Sequence, residues 1–167
     1  NLASVISYFP EVQFIIAPHE VSNQRLSKIK DRFGENCRLL SAYSSGELPH
    51  VLVIDRIGLL SELYSDSDIA YVGGGYTGKL HNIIEPAAKK NMILFGPKIQ
   101  YFPEAIEMEK EGFAKRITSQ KELKETLASF VSKPDELIEM KDKSQEFVKE
   151  RRGATQIVFE ELKPYLK

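Results

Sequence analysis

Short apolar runs rich in β-branched residues alternate with amphipathic segments along most of the chain. Bounded apolar runs of about four to eight residues are typical of strands buried on both faces. Six runs are predicted as strands: Val12–Ala17, Cys37–Leu40, Val51–Ile54, Ile69–Val72, Met92–Phe95 and Phe113–Ile117. Because helix-like segments separate them, the pattern predicts an α/β fold, a Rossmann-like parallel sheet flanked by helices.

The predicted helices carry apolar residues at three- and four-residue spacing. The first extends from Glu20 to Phe33, with Gly34 as its C-terminal stop. The others are predicted at Gly58–Tyr64, Asn82–Lys90, Phe102–Glu111 and Gln120–Phe130. Residues 134–167 are expected to form a charged C-terminal helical tail that breaks at Gly153. We expect residues 1–167 to form a single domain.

The composition of the chain excludes several classes of function but says little about the fold. The 23 basic and 24 acidic side chains nearly cancel, so no global field favours nucleic acid or an anionic membrane. The only cysteine, Cys37, lies in an apolar run, which predicts a buried thiol and a reducing compartment. No stretch approaches the ~20 apolar residues of a membrane-spanning helix. No cluster of Asp, His and Cys has the spacing of a metal site.

The residues that could carry chemistry are concentrated in one strand–loop–helix unit. The predicted strand Ile69–Val72 leads into Gly73–Gly75, and a helix is predicted to begin near His81 or Asn82. Ligands of parallel α/β sheets bind where strand ends lead into helices, because backbone N–H groups attract anions there. Three glycines also let the backbone come close to a phosphate. The alternative is a tight turn with a purely structural role.

Two polar residues follow the glycines. Asn82 and Glu85 are three positions apart and therefore share one face of the predicted helix's first turn. A carboxylate there can accept hydrogen bonds from both hydroxyls of a ribose. The alternative is a capping box, with Asn82 as the N-cap and Glu85 as its partner.

Three further loops are expected at the same edge of the sheet. They are Gly58–Glu62, Phe95–Lys98 and the loop that begins with His19. An imidazole at a strand end can hydrogen-bond a base or a sugar. A solvent-exposed residue at a helix entry is the alternative for His19.

The segment as a whole resembles the 3-deoxy-D-manno-octulosonic acid (Kdo) transferases, which transfer Kdo from CMP-Kdo to lipid A precursors. The motifs that carry the resemblance are Tyr71-Val-Gly-Gly-Gly, His81-Asn82, Glu85-Pro-Ala-Ala and Leu94-Phe-Gly-Pro. The similarity extends over about residues 51–102 and is weaker around His19. It implies the nucleotide-sugar-binding C-terminal half of a GT-B glycosyltransferase.

The resemblance also implies roles for individual residues. Gly74 and Gly75 would hold the CMP phosphate together with the start of the helix at His81. Asn82 would support that loop or the phosphate, and Glu85 would bind the ribose.

The loops outside the glycine segment would complete the nucleotide site. By the resemblance, His19, Ile57 and Gly58 would lie near the cytidine. One departure concerns the phosphate loop: many family members have Gly-Gly where this chain has Lys79 and Leu80, so this loop is less flexible. Lys79 could place a cation near the phosphate, or it could simply be solvated.

The resemblance further implies what the whole enzyme would need. In the family, an N-terminal domain carries the acidic catalytic base and the lipid A docking surface, so this chain alone would bind CMP-Kdo without turnover. No metal or cofactor would be required. The enzyme would work at the cytoplasmic face of the inner membrane of a Gram-negative bacterium.

Two alternatives of different classes stay open on the sequence. A GT-B glycosyltransferase that uses a UDP-sugar, or a related sugar epimerase, shares the glycine loop and the ribose-binding carboxylate. A non-catalytic α/β interaction module shares the fold and treats Asn82 and Glu85 as caps only.

Overall fold

The computed structural model describes residues 2–166, and its strands confirm the predicted α/β fold. Every strand pairs in parallel with a neighbour. The strands are β1 (Phe14–Ile16), β2 (Cys37–Leu39), β3 (Val51–Val53), β4 (Ile69–Val72), β5 (Met92–Phe95) and β6 (Ala114–Arg116).

Helices separate and follow the strands. They are α1 (Leu2–Ile6), α2 (Asn23–Phe33), α3 (Leu60–Leu63), α4 (Ile84–Ala88), α5 (Pro103–Lys110), α6 (Gln120–Ser132), α7 (Pro134–Glu150) and α8 (Ala154–Leu162). Short 3-10 turns lie at Gly34–Asn36, Leu40–Ala42 and Lys163–Tyr165. In residues 2–166 no helix is long and apolar enough to cross a bilayer.

The chain groups into two compact units, each with its own three-stranded sheet. Unit 1 takes in the chain up to Leu63 together with residues 119–127, and its strand order is β1-β3-β2. Unit 2 takes in residues 64–118 and the chain from Ala128 onward, and its strand order is β4-β5-β6. A single domain over residues 1–167 stays a prediction.

Element boundaries follow the sequence pattern closely where apolar runs are unbroken. β4 and β5 have the predicted bounds, whereas the first long helix begins at Asn23, three residues later than predicted. The reason is a side-chain cap: the Ser22 hydroxyl accepts a hydrogen bond from the Arg25 amide at 3.3 Å. The predicted C-terminal tail is helical and breaks at Gly153, which has φ +107°.

The core of unit 2 lies around β5, whose side chains are buried along the whole strand. α7 covers this core: Phe147 lies 5.2 Å from Phe113 between ring centroids, at a tilted angle. The Ser144 hydroxyl on the same helix donates to the Ala87 carbonyl at 3.3 Å. α7 therefore packs directly against α4 and fixes it over the sheet.

The core of unit 1 is smaller. Val51 and Val53 are completely buried in β3, the central strand, and Cys37 packs in the same cluster. The prediction of a buried thiol is confirmed. Burial raises the pKa of Cys37, and the nearby Lys30 opposes that shift.

Phe147→Ala should lower the free energy of unfolding by about 3–5 kcal/mol, because the buried ring leaves a cavity beneath α7. Urea unfolding followed by circular dichroism measures this change. Ile138→Ala is the matched control on the same helix, since Ile138 is mostly exposed, and should change stability by less than about 0.5 kcal/mol. Equal effects of the two changes would contradict this packing.

Candidate functional site

The glycine loop after β4 is a tight turn closed on Gly74. Gly74 has φ +88°, and a Cβ there would lie 1.9 Å from the Lys79 carbonyl oxygen. Its own carbonyl accepts hydrogen bonds from the amides of Thr77 and Lys79, each at 3.0 Å, and from the Thr77 hydroxyl. The turn therefore requires glycine at position 74 for steric reasons, whatever ligand it holds.

The second glycine brings two loops into main-chain contact. A Cβ on Gly75 would lie 2.5 Å from the Gly96 nitrogen, and a Cβ on Gly96 would lie 2.6 Å from the Gly75 carbonyl carbon. The Lys98 amide donates to the Gly75 carbonyl at 2.7 Å. The loops after β4 and β5 thus meet at one edge of the sheet, as the sequence predicted. Lys98 itself was not predicted as a site residue.

The stretch after the turn is anchored by an apolar side chain. Leu80 is buried in the core of unit 2, while Lys79 beside it is exposed. The His81 amide donates to the Gly73 carbonyl at 3.1 Å, and the His81 ring lies against Gly73. Leu80 and the His81 amide therefore fix the loop at its far end.

Asn82 ends the loop and caps α4. Its side-chain oxygen accepts from the amides of Ile84 at 3.0 Å and Glu85 at 3.4 Å. The helix begins at Ile84, later than predicted, because this cap lies outside it. Among the hydrogen bonds of the described residues, the Glu85 side chain makes no reciprocal bond to the Asn82 amide. The structure thus shows the N-cap bonds of Asn82 that the capping-box alternative predicts, without the reciprocal bond from Glu85 in the described residues.

Glu85 lies at the start of α4, partly buried, beside an aromatic residue that the sequence reading missed. Burial and the nearby Glu85 carboxylate together raise the pKa of Tyr64. Tyr64 precedes β4 and packs against the core of unit 2. A second tyrosine, Tyr76, borders the loops, and its hydroxyl donates to the Ile117 carbonyl at 3.1 Å.

The remaining predicted residues lie in unit 1. β1 and β3 are neighbours, and the Ile54 amide donates to the Ile16 carbonyl at 2.9 Å. The loops with His19 and with Ile57 therefore leave the same edge of this sheet. His19 is exposed, Ile57 is 90% exposed, and Gly58 has φ +94°.

A carboxylate at this edge joins two loops. Asp55, two residues after the end of β3, accepts hydrogen bonds from the Ser41 amide at 3.0 Å and from the Ser41 hydroxyl. The Ser41 hydroxyl above all holds the pKa of Asp55 below its usual value. In residues 2–166 no group of three or more His, Cys, Asp or Glu side chains is arranged to hold a metal ion.

Sequence comparisons agree with the resemblance. The chain is 26% identical over 170 residues to the 3-deoxy-D-manno-octulosonic acid transferase of Haemophilus influenzae, an alignment that covers 98% of this chain and 39% of that enzyme. It is 29% identical over 143 residues to the transferase of the same name from Aquifex aeolicus, covering 83% of this chain and 38% of that enzyme. The chain thus spans about two fifths of these curated relatives' length. No family model matches it.

Comparison with solved structures gives the fold. The chain resembles the crystal structure of the C-terminal CMP-Kdo binding domain of WaaA from Acinetobacter baumannii, with a TM-score of 0.73 and 17% sequence identity. The match covers 87% of this chain and 78% of that domain. The predicted fold, the C-terminal half of a GT-B enzyme, is confirmed. The resemblance to the Kdo transferases is confirmed in sequence over nearly the whole chain.

Gly75→Ala should lower the free energy of unfolding by about 1–3 kcal/mol, because the added methyl group forces two main chains apart. Gly73→Ala is the matched control: its Cβ would meet nothing nearer than the His81 ring at 3.4 Å, so about 0.5 kcal/mol or less is expected. Thermal and urea unfolding measure both changes. A Gly75→Ala variant with an unchanged free energy of unfolding would contradict the contact between the two loops.

Ser41→Ala should raise the pKa of Asp55 toward 3.8, because the Ser41 hydroxyl is the largest cause of the lowered pKa and the change removes it. The folded pKa is lower than the unfolded one, so the stabilisation is complete above pH 3.8 and is lost as the pH falls through the lower folded value. Carbon-detected NMR titration of the carboxyl group measures the midpoint. An unchanged midpoint in the variant would show that the hydroxyl does not donate.

Proposed function

We propose that this chain is the donor-binding domain of a Kdo transferase. It binds CMP-Kdo for transfer of Kdo to a lipid A precursor in the synthesis of the lipopolysaccharide inner core. The observation that carries the proposal is the unit of β4, glycine loop and α4, in which the motifs of the resemblance follow one another and meet the loop after β5 at one edge of the sheet of unit 2. The similarity to named Kdo transferases over 98% of the chain supports the same conclusion.

The phosphate of the donor is assigned to the glycine loop. The carbonyls of Gly74 and Gly75 are occupied as acceptors, whereas neither amide donates to another backbone group among the hydrogen bonds outside helices and strands in residues 2–166. Amides in such a turn suit an anion. Lys79 and Lys98 are both exposed beside the loop, and neither is in an ion pair among the described residues. They add positive charge where the phosphate would bind.

The ribose is assigned to Glu85. Its carboxylate has no hydrogen-bonded partner among the described residues, so its oxygens are available to two ribose hydroxyls. The partly buried ring of Tyr64 near it offers an apolar wall. Hydrogen bonds to a charged acceptor contribute about 1.5–3 kcal/mol each, which makes this carboxylate the main determinant of ribose recognition.

The resemblance further implies that His19, Ile57 and Gly58 contact the cytidine. His19 and Ile57 are exposed, an imidazole can hydrogen-bond a base, and the apolar surface of Ile57 suits a base face. This assignment predicts that changes in these loops alter base selectivity more than phosphate binding.

The remaining chemistry belongs to the part of the protein that the longer relatives have in addition. A carboxylate of that other domain would take a proton from a lipid A hydroxyl, which attacks the anomeric carbon with inversion. The glycine loop and the lysines would stabilise the leaving CMP phosphate without a metal. The whole enzyme would bind peripherally at the cytoplasmic face of the inner membrane.

Glu85→Gln should weaken CMP binding by about tenfold or more, because the neutral amide loses the charge-assisted bonds to the ribose. Isothermal calorimetry with CMP, UDP and AMP measures affinity and base preference in one series. Glu104→Gln, on the exposed side of α5, is the matched control and should leave all three affinities unchanged.

The calorimetric series also separates the alternatives. Preference for CMP with a loss in Glu85→Gln supports the proposal. Preference for UDP would move the chain to a UDP-sugar enzyme or an epimerase. Absence of binding by all three nucleotides would contradict a donor-binding role and favour an interaction module.

A further inference from the structure

Asn91 is a buried polar residue of unit 2 that lies outside the glycine loop and α4. Asn91 is completely buried, directly before β5. Its side-chain amide donates to the carbonyls of Tyr64 at 2.7 Å, Lys89 at 3.1 Å and Pro86 at 3.2 Å. Its side-chain oxygen accepts from the Ser67 hydroxyl at 2.5 Å. Such a side chain is costly to bury unless every polar atom is paired.

These bonds join two segments that are distant in sequence. Tyr64 and Ser67 precede β4, whereas Pro86 and Lys89 belong to α4 and its C-terminal end. Asn91 therefore links the start of the strand–loop–helix unit to its end. The glycine loop lies between these two segments in the chain. By holding the two segments together, Asn91 restrains the positions of the loop and of α4.

The link reaches the predicted ribose site directly. Pro86 follows Glu85 in the short helix α4. The Glu85 backbone is therefore next to the residue whose carbonyl the Asn91 side chain binds. On the other side, Asn91 holds the backbone of Tyr64, whose phenol lies near the Glu85 carboxylate. One side chain thus holds the backbone on both sides of that carboxylate.

We propose that Asn91 is a positioning residue for ribose recognition: by binding the carbonyls of Tyr64 and Pro86, it fixes Glu85 in the orientation that accepts the ribose hydroxyls. The proposal rests on the proposed function, in which Glu85 binds the ribose. Asn91 itself does not contact the nucleotide. Its loss would leave the phosphate loop and the charge of Glu85 in place but would let the carboxylate move.

The test compares CMP with 2′-deoxy-CMP, which lacks one of the two ribose hydroxyls. Calorimetry on the 167-residue chain should give the unaltered protein a preference for CMP of about tenfold or more. Asn91→Ser, which cannot bridge the two segments, should reduce that preference to less than about threefold. Ser67→Ala removes only one of the four bonds and should reduce it by about twofold.

A destabilised control separates positioning from general loss of stability. Met108→Ala creates a cavity at α5, in the core of the same unit but among none of the hydrogen-bond partners of Asn91, and should lower the melting temperature while keeping the CMP preference. Circular dichroism reports folding for each variant. Should Asn91→Ser fail to fold, Ser67→Ala decides the question, since it keeps Asn91 in place but removes the bond that orients the Asn91 side chain toward its carbonyl partners.

The outcomes for the two proposals are distinct. An unaltered protein that binds CMP and 2′-deoxy-CMP equally, or neither, overturns the ribose role of Glu85 and with it the role of Asn91. An unaltered protein that prefers CMP, combined with folded Asn91→Ser and Ser67→Ala variants that keep the full preference, overturns the positioning role alone. A reduced preference in both variants and not in Met108→Ala supports it.

Discussion

The main chains of Gly75 and Gly96 touch, and the arrangement of the loops at this edge of unit 2 depends on that contact. β4 and β5 are hydrogen-bonded up to Val72 and Phe95, so their exit loops leave the sheet about 4.8 Å apart. Any side chain at Gly75 or Gly96 would separate them. With both positions reduced to backbone, the Lys98 amide reaches the Gly75 carbonyl, and the glycine turn closes beside the end of the central strand.

The sequence pattern predicts the strands of unit 2 accurately, because β4 and β5 are unbroken apolar runs that must be buried. It does not predict helix starts as well. His81-Asn82 reads as the beginning of a helix, but the Asn82 side chain binds the amides of Ile84 and Glu85 from outside it. The grouping of the strands into two sheets was not predicted either, since apolar periodicity identifies strands without specifying their neighbours.

The site divides in the same way. The tight turn at Gly74 and Gly75 and the cap at Asn82 could be predicted, because glycine runs and capping residues leave a signal in the sequence. The ligand-binding roles of these residues and of Glu85 stay predictions. Asn91 could not, because it acts through backbone carbonyls, which every residue has and no pattern marks. Tyr64 was missed for a related reason: its neighbour Glu85 lies 21 positions away in sequence and comes near only through the folded chain.

Leu80 restrains the glycine loop after β4. A pair of glycines in place of Lys79 and Leu80 would leave this stretch more flexible, because glycine has the greatest backbone freedom. Here the buried Leu80 side chain contributes about 1.5–3 kcal/mol of hydrophobic stabilisation, and that energy holds the loop before any nucleotide arrives. The turn at Gly74 and the anchor at Leu80 restrain both ends, while Lys79 between them faces solvent. A preformed loop binds a ligand at lower entropic cost, so the Leu80 anchor supports the proposal that the donor phosphate binds at this loop.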